Sequence, residues 1–276
     1  MTKSHLEPKS NYTANTILVF AGLDPSGGAG ISADIETLSN LNTHTLPIVT
    51  CLTVQDTKNV KRVEPVEKNL LQQQVETLTQ DIAFQAIKIG LLSNADIIEL
   101  VAQTLTIFPD IPVIFDPILR AGGGTRVTHG DANNIVKLMR EKIIPHTTLI
   151  TPNSLEARML VDKKNLNDCA EELIQLGCKN VLITGEHEND PITVSNTLYS
   201  VDDRGLLNSI FYRYPRLPHK YHGSGCTLAS ASSVYLSQNM PIAKAAQCAQ
   251  DFTYNTLIHA KQLGKTQFHP DRTIKS

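Results

Sequence analysis

No stretch of the 276-residue sequence approaches the roughly 18 apolar residues that a bilayer-spanning helix needs, and residues 1–15 are polar, without the apolar run of a secretory signal. A cytoplasmic protein is expected, with no membrane partner. Charge of one sign is also missing, since 25 Lys and Arg stand against 27 Asp and Glu for a net of −2. The longest basic cluster, residues 58–62, is diluted by Asn59 and Val60 and reads as a solvated turn. Capture of a phosphodiester backbone needs a concentrated basic face, so nucleic acid is not an expected partner. The five cysteines (Cys51, Cys169, Cys178, Cys226, Cys248) form an odd, scattered set with no CxxC pair. That excludes a disulfide scaffold and a zinc ribbon, and leaves most of them as small buried hydrophobes. There is no internal repeat, no low-complexity linker and no break in composition, while 41% hydrophobic content supplies a substantial core. One domain is expected over residues 16–264, between a polar arm, 1–15, and a polar tail, 265–276.

Residues 16–21 read as a buried strand, 22–30 as a glycine-rich turn, and 31–41 as a helix with Ile31, Ile35, Leu38 and Leu41 at helical spacing. The alternation continues with strands at 47–54, 86–89, 113–115 and 148–151 and helices at 66–78, 95–107 and 132–144. This pattern predicts an α/β fold with right-handed crossovers and a mostly parallel sheet covered on both faces. A helix at 169–176 precedes a strand at 180–184, and runs at 193–200 and 206–212 flank Asp202-Asp203-Arg204-Gly205. That turn chemistry predicts an antiparallel hairpin at one sheet edge. Helices at 227–236 and 242–263 follow, the second entered through Pro241.

In an open parallel sheet, ligands bind beyond the carboxyl ends of the strands. Beyond the first strand lies Gly22-Leu23-Asp24-Pro25-Ser26-Gly27-Gly28-Ala29-Gly30, which is neither a Walker A loop nor a GxGxxG fingerprint. It fits a structural turn, and equally a backbone that approaches a ligand, with Asp34 offering its carboxylate to a substrate hydroxyl. His222-Gly223-Ser224-Gly225-Cys226-Thr227 precedes an apolar helix. Its small residues leave backbone N–H groups unpaired at a helix N-terminus, where the dipole favours an anion. Cys226 there is expected to have its thiolate favoured relative to the free value of about 8.5; a small-residue cap with a buried Cys is the alternative. A Cys/His hydrolase built on His222 lacks a third orienting residue and the GxSxG elbow. Asn153 and Glu156 have capping-box spacing; alternatively Glu156 and Asp116 hold water around a magnesium ion. Thr184-Gly185-Glu186-His187 brings a turn close to a nucleotide, and His187, with no second ligand at spacing, is expected at the surface.

Taken together and in order, the 21–30 loop, Leu52-Thr53-Val54-Gln55-Asp56-Thr57, Lys88-Ile89-Gly90, Asp116-Pro117, Thr151-Pro152-Asn153 and Gly223-Ser224-Gly225-Cys226 resemble the hydroxymethylpyrimidine/phosphomethylpyrimidine kinases of thiamine biosynthesis. The resemblance covers about residues 16–260. It implies a ribokinase-like three-layer α/β/α fold, use of ATP and magnesium, and a homodimer. It also implies site roles. Gln55 would meet the aminopyrimidine edge and Asp34 the hydroxymethyl group, Gly22 and Thr53 would line the pocket, and Leu91 and Ile118 would cover the ring. Cys226 would sit beside the reacting hydroxyl, within the anion hole of Gly223, Ser224 and Gly225. Asn153, Thr184, Gly185 and Arg120 would serve the nucleotide, and Asp116 and Glu156 the magnesium ion through water.

Two segments depart from the family pattern. Where the family often has Ala-Lys-Ser-Gly, this chain has Arg120-Ala121-Gly122-Gly123-Gly124, so Arg120 is left to supply the cation, and guanidinium and ammonium are not interchangeable. The common Lys-Gly-Gly-His becomes Thr184-Gly185-Glu186-His187. Pyridoxal kinase is the alternative within the same superfamily, and a non-catalytic pyrimidine-binding sensor is the alternative from another class.

Overall fold

Strand β1 (Thr16–Leu23) is buried along residues 16–22, as befits the centre of a sheet covered on both faces. In this computed structural model, residues 15–120, 127–202 and 204–274 are described; the 1–14 part of the arm, most of the 120–124 glycine segment and Asp203 lie outside them. The remaining elements are α1 (Gly30–Asn40), β2 (His44–Gln55), β3 (Val60–Pro65), α2 (Lys68–Asp81), β4 (Ala86–Ile89), α3 (Ala95–Ile107), β5 (Val113–Phe115), α4 (Ala132–Lys142), β6 (Leu149–Ile150), α5 (Ser154–Val161), α6 (Leu166–Gln175), β7 (Asn180–Ile183), β8 (Thr193–Val201), β9 (Leu207–Pro215), α7 (Ser224–Ser237) and α8 (Ile242–Ile258).

The nine strands form one sheet in the order β3-β2-β1-β4-β5-β6-β7-β8-β9. Pairing is parallel from β2 to β7. It is antiparallel at both ends, where β3 joins β2 and the β8–β9 hairpin joins β7. The period-2 alternation of each strand divides the core in two. Leu18 and Phe20 of β1 face one way, onto α2 to α6, whereas Ile17, Val19 and Ala21 face the other way, onto α1, α7 and α8. Three layers result, with helices on both sides. No helix among the described residues is long and apolar enough to cross a membrane.

Several expectations change. The cluster at 58–62 is not a free turn, because β3 pairs Val60 with Gln55 and Val63 with Thr53 and buries both valines. Only two of β3's six residues face inward, which gave the sequence too weak an alternation to register. Helix α5 is only two turns long, too short to show a helical period beyond its cap, and it ends at Asp162 in the left-handed conformation (φ 53°). Helix α8 stops at Ile258 rather than 263, and Pro241 is its N-cap rather than its first residue. The segment expected as a polar tail packs back onto the domain. His269 pairs with Lys261 and Phe268 lies beside Tyr221, while His269 and Arg272 are buried.

Phe20 is fully buried in the larger core, so Phe20→Ala is expected to cost about 3–5 kcal/mol. Urea unfolding checks this: the midpoint should fall with an unchanged slope.

Candidate active site

The glycine-rich turn after β1 is organised by one carboxylate. Asp24 Oδ1 accepts from the Ser26 N–H (2.8 Å), and Oδ2 accepts from the Ala29 N–H (2.9 Å) and the Ser26 hydroxyl (3.0 Å). At Gly30 the backbone is left-handed (φ 60°) and a Cβ would stand 2.2 Å from the Gly22 carbonyl oxygen, so no other residue fits. Burial pushes the Asp24 carboxyl up, but hydrogen bonds from His222 and Ser26 overcome it and hold the value down at about 2. His222 Nε2 lies 2.7 Å from Asp24 Oδ2 and 3.3 Å from the Gln55 amide nitrogen. An imidazole therefore links the loop to the end of β2.

Next to this junction is a small apolar wall of Cys51, Val60, Val63, Leu91 and Val127, with Ile118 packed against it. Gly22 borders it so closely that a Cβ there would lie 2.8 Å from Cys51 Sγ and 3.2 Å from Leu91 Cδ2. The Thr53 hydroxyl donates to the Leu23 carbonyl (2.9 Å). Gly22, Leu91 and Ile118 thus meet at one apolar cluster, with Thr53 tied to the adjoining Leu23 carbonyl and the Gln55–His222 contact nearby.

Under the turn lies a buried charge cluster. Lys88 Nζ, from β4, donates to both oxygens of Asp34 on α1 (2.8 and 2.9 Å), and the Ser230 hydroxyl on α7 donates to Asp34 Oδ1 (2.7 Å). Neither charged side chain is exposed. This corrects the expectation that Asp34 offers its carboxylate to a substrate hydroxyl. A carboxylate one turn into a helix that packs on the sheet points inward, and Lys88 meets it there.

Helix α7 begins at Ser224 after Gly223 in a left-handed N-cap (φ 82°). The first i→i−4 bond runs from Thr227 N–H to the Gly223 carbonyl (3.0 Å), so the Ser224, Gly225 and Cys226 N–H groups precede it. A Cβ on Gly225 would stand 3.7 Å from Asp116 Oδ2, which places the Asp116 carboxylate at the same helix end. Cys226 is the second correction. Burial pushes its thiol up to about 12; Lys88 opposes that, while Asp116 and Asp34 reinforce it. The helix end is outweighed by enclosure and by two acids, and Cys226 is a neutral thiol beside Asp116 and the Gly30 N–H.

Asn153 and Glu156 do form a capping box. Asn153 Oδ1 accepts from the Leu155 and Glu156 N–H groups, and Glu156 Oε2 accepts from the Asn153 N–H at 3.0 Å. The cap does not exhaust Glu156. Burial and the neighbouring Asp116 push its carboxyl up to about 8, and burial pushes Asp116 up to about 6. Asn153 pairs alongside Thr184, and the Gly185 N–H donates to Asn196 Oδ1 (3.0 Å). A cavity with Tyr214, Tyr221 and Tyr254 in its lining joins Thr184 to Ser224 and Gly225. Exposed Glu186 borders it, and His187 is exposed as expected. Arg120 is exposed and stands at the border of the described residues.

Sequence reasoning gave no role to Asp24, Lys88, His269 or Arg272. For Lys88 a signal was available, namely a charge within an otherwise apolar central strand.

A sequence model described as phosphomethylpyrimidine kinase matches residues 24–271. The chain is 33% identical over 260 residues to the hydroxymethylpyrimidine/phosphomethylpyrimidine kinase of Bacillus subtilis, covering 92% of each chain. It is 30% identical over 253 residues to that of Escherichia coli, covering 89% of this chain and 92% of the other. Among solved structures, a phosphomethylpyrimidine kinase from Clostridium difficile superposes with a TM-score of 0.73 at 31% identity, over 88% of this chain and 99% of that one. An ADP complex of Bacillus subtilis pyridoxal kinase superposes with a TM-score of 0.83 at 26% identity, over 95% and 98%.

The raised Glu156 carboxyl has a measurable sign. Between the ordinary 4.5 and about 8 the native state keeps a proton that the unfolded chain releases, so this group's contribution to stability falls as pH rises through that window. In metal-free buffer, the melting temperature of the wild type relative to Glu156→Gln should decline from pH 5 to pH 8.5. A pH-independent difference between the two would contradict the assignment.

Proposed function

The chain belongs to the phosphomethylpyrimidine kinase family, and on that premise we propose how its site performs the reaction. It is a kinase of thiamine biosynthesis that transfers a phosphoryl group from ATP to 4-amino-5-hydroxymethyl-2-methylpyrimidine, and a second to the resulting monophosphate. The observation that carries the residue assignment is that the 22–30 loop lies between an apolar cluster at Gly22 and the N-terminus of α7, where Gly223 meets Gly28.

In this reading the Gln55 amide pairs with the aminopyrimidine edge, turning from its contact with His222, while Gly22, Thr53, Leu91 and Ile118 enclose the ring. The Ser224, Gly225 and Cys226 N–H groups, with Gly223 setting the turn, face the transferred phosphoryl group as charge spreads over its oxygens. A loose transition state asks little of a base, so a neutral Cys226 thiol serves by orienting the acceptor hydroxyl. Asp34 acts from below by fixing Lys88, whose ammonium balances Asp116.

Asp116 and Glu156 fit a magnesium ion, because two buried acids held up by burial and proximity form an oxygen donor pair short of positive charge, with water completing the shell. Bound there, the ion would neutralise nucleotide phosphate charge. Asn153, Thr184, Gly185 and Arg120 serve the nucleotide side of the cavity, where ATP is the phosphoryl donor. The family likeness also supports a homodimer in the cytoplasm, and exposed Leu52 and Val54 on β2 offer apolar surface for the dimer.

Phosphorus NMR of protein, ATP, magnesium and the hydroxymethylpyrimidine should show the pyrimidine diphosphate. The monophosphate alone would remove the second step, and turnover only with pyridoxal would favour the pyridoxal kinases that superpose so well. Gln55→Ala should weaken pyrimidine binding by about 1–3 kcal/mol, read as a rise in KM. Cys226→Ala should instead lower kcat by up to about 100-fold with little change in KM.

A further inference from the structure

Arg272 comes from the segment that composition marks as a tail, yet its side chain is only 1% exposed. Its guanidinium reaches four groups on three elements. Nη2 donates to the Gly28 carbonyl at 2.6 Å and to the Gly223 carbonyl at 3.3 Å, Nε donates to the Thr227 hydroxyl at 2.8 Å, and Nη1 meets Glu36 on α1 at 3.1 Å. The two glycine loops touch at this point, since a Cβ on Gly223 would lie 2.0 Å from the Gly28 oxygen. Both carbonyl oxygens accept from the same Nη2, so one cation bridges the two loops where their backbones meet.

The segment is held in place independently. Asp271 pairs with Lys261 (2.6 Å) and its N–H donates to the Thr256 carbonyl (3.0 Å), while the Phe268 carbonyl accepts from the His222 N–H (2.9 Å).

The peptide unit is planar and trans, so fixing a carbonyl on one side fixes the following N–H on the other. Anchoring Gly28 aims the Ala29 N–H away from Arg272, where it meets Asp24. Anchoring Gly223 likewise aims the Ser224 N–H away from Arg272 and out of the helix N-terminus. A charged donor on the carbonyl also polarises that peptide and strengthens its N–H as a donor.

We infer that Arg272 is a positioning residue for phosphoryl transfer, a C-terminal clamp that sets the spacing of the acceptor loop and the anion loop and orients the Ser224 N–H. The inference rests on the kinase reading above. Arg272→Ala should lower kcat by about 10–100-fold, with KM for the pyrimidine within about threefold of wild type. The Ser224 amide proton should shift upfield in proton–nitrogen NMR of the ligand-free protein. Arg272→Lys, which keeps the charge but cannot span both carbonyls and Thr227, should show the same shift and a smaller loss, and it decides the matter if the alanine variant does not fold. Glu36→Gln removes only the solvent-side partner and should keep kcat near wild type. Unchanged kcat in folded Arg272 variants, or a loss that tracks melting temperature with the Ser224 amide unmoved, would overturn the clamp. Absence of turnover in the wild type would instead refute the kinase reading, and the ligand-free amide shift would still test the clamp.

Discussion

Everything at the carboxyl end of the sheet rests on one buried ion pair, Lys88 with Asp34. It joins the central strand β4 to α1, and through the Ser230 hydroxyl to α7, so one charge contact locks together the helices that carry the acceptor loop and the anion loop. A pair enclosed this fully adds little net stability, because desolvation offsets attraction, but losing either partner strands the other at a cost of about 3–5 kcal/mol. The pair therefore acts as a register pin. It is satisfied only when α1 and α7 pack on the same face of the sheet at the observed spacing.

The same lysine explains the electrostatics around it. Asp34, Asp116 and the Cys226 thiol crowd about one ammonium, and Glu156 lies beyond, next to Asp116. Asp34 has Lys88 at contact distance, whereas Asp116 feels it without an ion pair, and Glu156 lies beside Asp116 with only the Asn153 and Leu119 N–H groups to offset its burial. The carboxyl value accordingly rises from about 6 at Asp116 to about 8 at Glu156, which is farther from any cation. In the proposed reaction a divalent ion would serve at the outer end of this cluster, where no cation pairs with the acids, while Lys88 pairs with the inner one.

Much of this was legible in the sequence, because the loops that form the site are short and follow strands whose apolar content is unmistakable. Thr16 to Leu23 and Val113 to Phe115 could hardly be anything but central strands, and the 22–30 turn carries its own internal ligand in Asp24. What stayed hidden depends on partners far away in the chain. Asp34 seemed available because Lys88 is 54 residues distant, and Arg272 seemed to belong to a tail because Gly28 is 244 residues away. Cys226 misled for a related reason. A helix end favours a thiolate, but enclosure and two neighbouring acids, none visible in the local sequence, override it.

The neutral thiol also bears on how one site accepts two different nucleophiles in the proposed reaction. A thiolate at Cys226 would stand against the incoming phosphoryl oxygens in the first transfer and against a second anion in the next, when the acceptor is itself a phosphate monoester carrying about −1.5 to −2 charges. At about 4 Å each such contact costs on the order of 4 kcal/mol in a medium of intermediate dielectric. With its proton retained, Cys226 offers a weak dipole that can turn toward a hydroxyl or a phosphate oxygen alike. The two acceptors then differ in how deeply they reach toward the α7 N-terminus, while the backbone N–H groups that meet the transferred phosphoryl group stay where Gly223 and the loop contacts hold them.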